Sequence, residues 1–212
     1  MSKNSLRGMS LLEIRPAAVA DLPSITEIYE HAVRYGTATF ELIPPDLDEM
    51  TRRYDVLMDG GFPYLVAALE GRVVGYAYAG AYRPRPAYRF TLENSVYLQP
   101  AIHRRGIGLQ LLQRLIAESE ARGYRQMIAV IGDSANAGSI GVHRRCGFQM
   151  IGTHPNVGFK FGRWLDTVMM QRALGGGATT LPRATWFRPS RTKPTPPNAS
   201  TFWIAFKPGS TV

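Results

Sequence analysis

Cysteine is nearly absent from this 212-residue chain: Cys146 stands alone, so no intrachain disulfide can form. The expected compartment is the reducing cytoplasm, because disulfides mark exported proteins. No apolar run approaches the roughly 20 residues of a membrane-crossing helix. A secretory leader is not expected either, since Glu13, Arg15 and Pro16 interrupt any apolar core ahead of Ala17-Ala18-Val19-Ala20. Metal-ligand spacing is missing among the histidines, and His31 and His154 read as structural. No internal repeat is evident.

Acidic residues are scarce as well, 16 against 25 Lys and Arg, for a formal net charge of +9. That balance raises nucleic-acid binding as a function class. Its placement argues against it. From Gly175 to Val212 the chain carries Arg183, Arg188, Arg191, Lys193 and Lys207 without one acid, about half of the excess. The body lacks the basic and aromatic interleaving of a nucleic-acid-binding sheet or recognition helix. Three regions follow: a polar leader over 1–10, a folded domain over 11–174, and a flexible Pro/Thr-rich tail over 175–212. Within the tail, Thr201 to Phe206 is an apolar exception.

The body reads as alternating elements. Leu11 to Arg15 forms a first strand, and Asp21-Leu22-Pro23 starts a helix with Asp21 as its cap. Ile25, Ile28, Tyr29, Ala32 and Val33 give that helix its buried face, and Gly36 ends it. A second helix spans Asp46 to Asp59 with Leu47, Met50, Tyr54 and Leu57 inward. Tyr64–Leu69 and Val73–Tyr82 flank a Glu70-Gly71 hairpin turn. In the next strand Phe90, Leu92, Val96 and Leu98 alternate with Thr91, Glu93, Ser95 and Tyr97. A helix with Leu111, Leu112, Leu115 and Ile116 inward runs to Gly123. Met127 to Ile131 is a strand covered on both faces. A helix over Asn136 to Cys146 and strands at Phe148–Thr153 and Thr167–Leu174 complete a mixed α/β sheet.

Between the fourth strand and its helix lies His103-Arg104-Arg105-Gly106-Ile107-Gly108. Glycine lets backbone amides approach a ligand, and a helix start offers unpaired N–H groups with partial positive charge. Phosphate binds such a turn, with Arg104 and Arg105 adding charge-assisted contacts. Two glycines alone are equally a tight strand–helix connection. The turn is neither a dinucleotide fingerprint nor a P-loop, because the third glycine and the Gly-Lys-Ser/Thr are missing.

In its setting, followed by a buried strand, Asn136-Ala137-Gly138-Ser139 and Gly147-Phe148, the turn resembles the acetyl-CoA site of the GNAT superfamily. His103 stands where that family usually has Gln or Arg. The resemblance narrows to the phosphinothricin and methionine sulfoximine/sulfone acetyltransferases. It rests on Ile28 to Val33, Gly36-Thr37-Ala38-Thr39-Phe40-Glu41, Gly75 to Ala79, Phe90 to Tyr97 and Gly158 to Asp166. It covers about residues 12 to 174 and excludes the tail.

The resemblance implies a GNAT fold: a mostly antiparallel sheet flanked by helices, with two strands splayed at the acetyl-CoA site. Backbone groups of Val96, Tyr97 and Leu98 would pair with the pantetheine arm, which Asn136 would also contact. Arg104, Arg105, Gly106, Ile107, Gly108 and Leu109 would hold the pyrophosphate. Glu93 is implied as general base and His143, at helical spacing from Asn136 and Ser139, as the acid for the departing sulfur. Otherwise Glu93 is a residue on a solvated strand face, and His143 a surface histidine beside Arg144 and Arg145. Arg83, Arg85 and Arg89 suit a small anionic amine, because guanidinium pairs with carboxylate or phosphinate oxygens. Phe40 and Glu41 would close the pocket. Cys146 is not needed, since direct attack requires no acyl-enzyme. A homodimer is implied as well.

Overall fold

The computed structural model describes residues 12–182. The leader, the start of the first strand at Leu11 and most of the tail, with Thr201 to Phe206, lie outside the described residues. Seven strands form one open sheet: β1 (Leu12–Pro16), β2 (Tyr64–Leu69), β3 (Arg72–Ala81), β4 (Thr91–Leu98), β5 (Gln126–Gly132), β6 (Gln149–Lys160) and β7 (Arg163–Ala173). Their order is β1-β2-β3-β4-β5-β7-β6. Every pairing is antiparallel except β4 with β5. The helices are α1 (Leu22–Tyr35), α2 (Leu47–Asp59), α3 (Ile107–Ala121) and α4 (Ala137–Arg145).

Period-two alternation in β3 and β4 separates two cores. One side carries Tyr64, Val66 and Tyr76 against Ile25, Ile28, Tyr29 and Val33 of α1 and Met50, Tyr54 and Leu57 of α2. The other carries Ala77, Ala79 and Leu92 against Leu111, Leu112 and Leu115 of α3. Those three leucines are fully buried, each contributing about 1.5–3 kcal/mol of apolar transfer. The small residues on the α3 side of β3 let that helix approach closely, while the tyrosines on the opposite side fill a thicker layer.

Several sequence expectations are corrected. Asp21 does not cap α1: its backbone is already helical and it makes no cap bond. Its carboxylate turns back instead, accepting from the Ala18 amide at 2.8 Å and from Arg15 at 2.6 and 2.8 Å. A nearby guanidinium competes better for a carboxylate than a neutral amide does. Leu47 is exposed, whereas Met50, Tyr54 and Leu57 are buried as expected. The last two strands are much longer than their apolar segments suggested, joined by a Phe161-Gly162 turn with both φ values positive. Register shifts at Met150/Gly152 and His154/Gly158 break the alternation of β6. Pro155 is tolerated there because β6 is an edge strand. Past Ala173, Arg125 donates to the Gly177 carbonyl at 2.9 Å and the Thr180 carbonyl at 2.7 Å. The chain is therefore tied to the body beyond Gly175, where the composition changes.

Candidate active site

The parallel pair β4–β5 opens partway along. Its register runs from Thr91↔Gln126 to Asn94↔Ala129 and stops, although β4 continues to Leu98 and β5 to Gly132. On their outer sides both strands stay paired, β4 with β3 and β5 with β7. The backbone groups of Ser95 to Leu98 that face β5 therefore have no strand partner. A cavity opens in this wedge, lined by Asn94, Val96, Tyr97, Ile131, Asn136 and His143, with Ala38 at its edge.

Beside the wedge, Arg104 and Gly106 both take left-handed backbone, φ 64° and 76°. Gly106 is the residue before α3, and Ile107 and Gly108 open the helix. Arg104, Arg105 and Gly106 are exposed, while Ile107 and Gly108 are buried and Leu109 half-buried. A Cβ on Gly106 would meet nothing within 4 Å, so the space over this turn is open. Side chains of Ile107 and Leu98 pack into the core beneath α3.

Glu93 and Asn94 are neighbours on β4 and so point to opposite faces of the sheet. Glu93 is half-buried on the α1–α2 side. Burial pushes its pKa above the usual carboxylate range, and the Arg83 charge partly offsets this. On the same face Tyr78 hydrogen-bonds Ser95, and burial raises its phenol pKa. Through Asn94 the opposite face reaches His143, which is 5% exposed. His143 is thus no surface histidine. Its Nδ1 lies 2.8 Å from the Ser139 carbonyl and its Nε2 3.0 Å from Asn94 Oδ1. Burial lowers the imidazole pKa, with the Ser139 carbonyl opposing. Asn136 caps α4, accepting from the Ser139 amide at 3.1 Å. Cys146 is buried, and burial raises its thiol pKa, opposite to what a nucleophile needs.

The loop between α1 and α2 roofs this region. Phe40 lies against Gly158, where a Cβ would come within 2.2 Å of its ring, and against Gly132. Glu41 does not face the cavity freely: Tyr29 donates to it at 2.8 Å and Arg53 at 2.7 Å. Sequence reasoning missed the clamp on this loop. Lys160, 3% exposed, donates to the carbonyls of Gly36 at 2.8 Å and Thr39 at 2.9 Å. A lone lysine between Phe159 and Phe161 was the available signal. Asn94 was also passed over, although it interrupts the apolar alternation of β4. Of the three arginines before β4, Arg83 bears on Glu93 and stacks on Tyr82, centroid 5.1 Å away. Arg89 lies over Phe90 and donates to the Pro86 carbonyl at 3.0 Å. Arg85 is exposed and precedes a short turn of helix.

A carrier with a phosphate-rich head and a slender amide-bearing arm fits these surfaces. The head suits the open amides at Gly106, and the arm suits the unpaired edge of β4. The molecule so defined is a transferase that draws an acyl group from such a carrier. Comparison with known proteins gives the family. The model of the acetyltransferase (GNAT) family matches residues 25–148. A phosphinothricin N-acetyltransferase of Alcaligenes faecalis is 57% identical over 162 residues, 76% of this chain and 82% of that protein. An L-methionine sulfoximine/L-methionine sulfone acetyltransferase of Pseudomonas paraeruginosa is 47% identical over 74% of this chain and 92% of its own. The crystal structure of a phosphinothricin acetyltransferase from Sinorhizobium meliloti with acetyl-CoA superposes with a TM-score of 0.79. It is 50% identical and covers 81% of this chain and 93% of that one. The chain belongs to the GNAT family and is an acetyl-CoA-dependent N-acetyltransferase.

Proposed function

We propose that the enzyme acetylates the α-amino group of a small, anionic, amino-acid-like substrate, of which phosphinothricin and methionine sulfoximine or sulfone are the first to test. The observation that supports this reading is the placement of Glu93 and His143 on opposite faces of the sheet, His143 lining the wedge cavity and Glu93 in the last paired residues of β4 beside it. An amine can enter from the Glu93 face while the sulfur side stays on the His143 face. Acetyl-CoA, when bound, supplies the acetyl group as a thioester.

Val96, Tyr97 and Leu98 would hold its arm by their free backbone groups, with Asn136 beside them. Residues Arg104 to Leu109 would hold its pyrophosphate. Glu93 removes the proton from the incoming ammonium, because an α-amino group at roughly pKa 8 is mostly charged at neutral pH. Burial makes Glu93 a stronger base than an exposed glutamate. His143 carries the proton for the leaving sulfur. Arg83 draws the substrate anion toward Glu93, with Arg85 and Arg89 adding to the field, and Phe40 walls the pocket. No helix among the described residues is long and apolar enough to cross a membrane; cytoplasmic residence is proposed from the single cysteine.

Thiol release measured over a panel of amines tests the substrate. Turnover of phosphinothricin or methionine sulfoximine is expected; acetylation of polyamines or a peptide terminus but neither of these overturns the assignment. Self-association is proposed through the β6–β7 hairpin, where Ile151, Val157, Phe159 and Trp164 are each more than half exposed. Trp164→Glu should turn a dimer into a monomer in sedimentation. A wild-type chain that sediments as a monomer removes this part.

A further inference from the structure

The connection from β5 into α4 is exposed at Ser134 and Ala135, yet Asp133 at its base is only 6% exposed. Its backbone is left-handed at φ 70°, a conformation that aspartate and asparagine tolerate better than most residues. The carboxylate reaches three segments of the chain. The Ala135 amide donates to Oδ1 at 3.0 Å, and Arg163 of β7 donates to Oδ2 at 2.5 Å. The side chain of Thr37, in the loop between α1 and α2, hydrogen-bonds it as well. The Ala135 amide and then Arg163 hold its pKa below the usual carboxylate range, so the group is charged at neutral pH.

Two of these partners adjoin the wedge cavity. Thr37 precedes Ala38, Ala135 precedes Asn136, and both Ala38 and Asn136 line it. Backbone approach reinforces the link. A Cβ on Gly132, the residue before Asp133, would come within 2.2 Å of the Thr37 carbonyl. The roof loop and the start of α4 therefore meet at Gly132 and Asp133. Asp133 is not itself among the residues lining the cavity, so it acts on the cavity through its neighbours.

We infer that Asp133 is a positioning residue which ties the roof loop at Thr37 to the start of α4 at Ala135, and so fixes where Ala38 and Asn136 stand at the cavity. Arg163 anchors the tie to β7. The inference rests on the proposed seat of the acetyl-CoA arm beside Asn136, which Asn136→Ala tests separately.

The experiment is calorimetry of acetyl-CoA binding to the full chain. Asp133→Gly removes the carboxylate while relieving the left-handed backbone, which separates the ties from any strain. Affinity should fall about tenfold, the lower end for a hydrogen bond to a charged group. Asp133→Asn keeps an acceptor oxygen for the Ala135 amide and tolerates the same backbone, so it should recover most of the affinity. Thr37→Val keeps the shape of its side chain and loses the hydroxyl. It should weaken binding in the wild type and add nothing in the Asp133→Gly background. A merely structural aspartate would lower the melting temperature without this coupling. Wild-type affinity in Asp133→Gly overturns the inference, and so does full additivity of the two substitutions. A loss in Asn136→Ala without one in Asp133→Gly overturns the inference and keeps the seat, whereas unchanged affinity in Asn136→Ala removes the seat and the inference with it. Should Asp133→Gly fail to fold, Thr37→Val decides, and wild-type affinity there overturns the tie.

Discussion

The role proposed for Glu93 places a charged base in a half-buried position, and this has two measurable consequences. Removing it by Glu93→Gln should lower kcat by about a hundred- to ten-thousand-fold, the usual range of general-base contributions. The rate should recover as pH rises and free amine accumulates. The second consequence is thermodynamic. Its folded pKa is raised, so the folded state binds the proton more tightly. The resulting stabilisation is full below the unfolded pKa and is lost as pH rises through the folded value. Glu93→Gln should therefore be more stable than wild type at neutral pH, the advantage vanishing in acid. Thermal melts of both proteins across pH check this, and a variant less stable at neutral pH contradicts it. His143 has the opposite sign for its class: its folded pKa is lowered. Its contribution is present above the unfolded imidazole pKa and fades as pH falls toward the folded one.

At the scale of the element, the proposed function divides the work of binding between the Gly106 turn and the loop that carries Phe40. Gly106 lies at φ 76° with open space around its Cβ direction. In Gly106→Val, folding is charged only the left-handed backbone cost, about 1–2 kcal/mol. The new side chain also enters the space an acetyl-CoA pyrophosphate would need. Affinity for acetyl-CoA by calorimetry should therefore fall by more than stability does, and an unchanged affinity would remove the turn from the site. The loop depends on Lys160, whose ammonium satisfies the buried carbonyl of Thr39 and the part-buried one of Gly36. Lys160→Met leaves both unpaired and should cost about 1–3 kcal/mol. With Phe40 loosened, the KM for the amine should rise more than kcat falls. A variant that is destabilised but kinetically normal would confine Lys160 to a structural role.

For the whole molecule, the question is how much chain the activity needs. The family match ends at residue 148, and the sheet closes with β7 at Ala173. Arg125 then holds the chain to Thr180. A chain truncated after Pro182 should fold and turn over like the full protein. Truncation after Leu174 should lose the bonds to Arg125 and melt lower by a small margin. A soluble, folded but inactive chain ending at Pro182 would assign the basic tail a part in the site.

Most of the architecture was legible in the sequence because it follows local rules. Period-two alternation in β3 and β4, the apolar run of β5, the leucine stripe of α3 and the Gly106 turn all carry their own signals. Resemblance then linked Glu93, His143 and the turn to one reaction. Other features are decided only by the tertiary structure. The bulges that extend β6 past Pro155 depend on an edge position, which no local pattern encodes. Asp21 abandons a cap because Arg15 comes within reach after the chain folds. Lys160 finds its two carbonyls 121 and 124 residues away. Asn94 looked like an interruption of an apolar stripe until β5 and α4 supplied Ile128 and His143. Lys160 and Asn94 are polar groups whose partners are remote in sequence. Burial obliges such a group to find a partner, and only the packing of the sheet determines which one it finds.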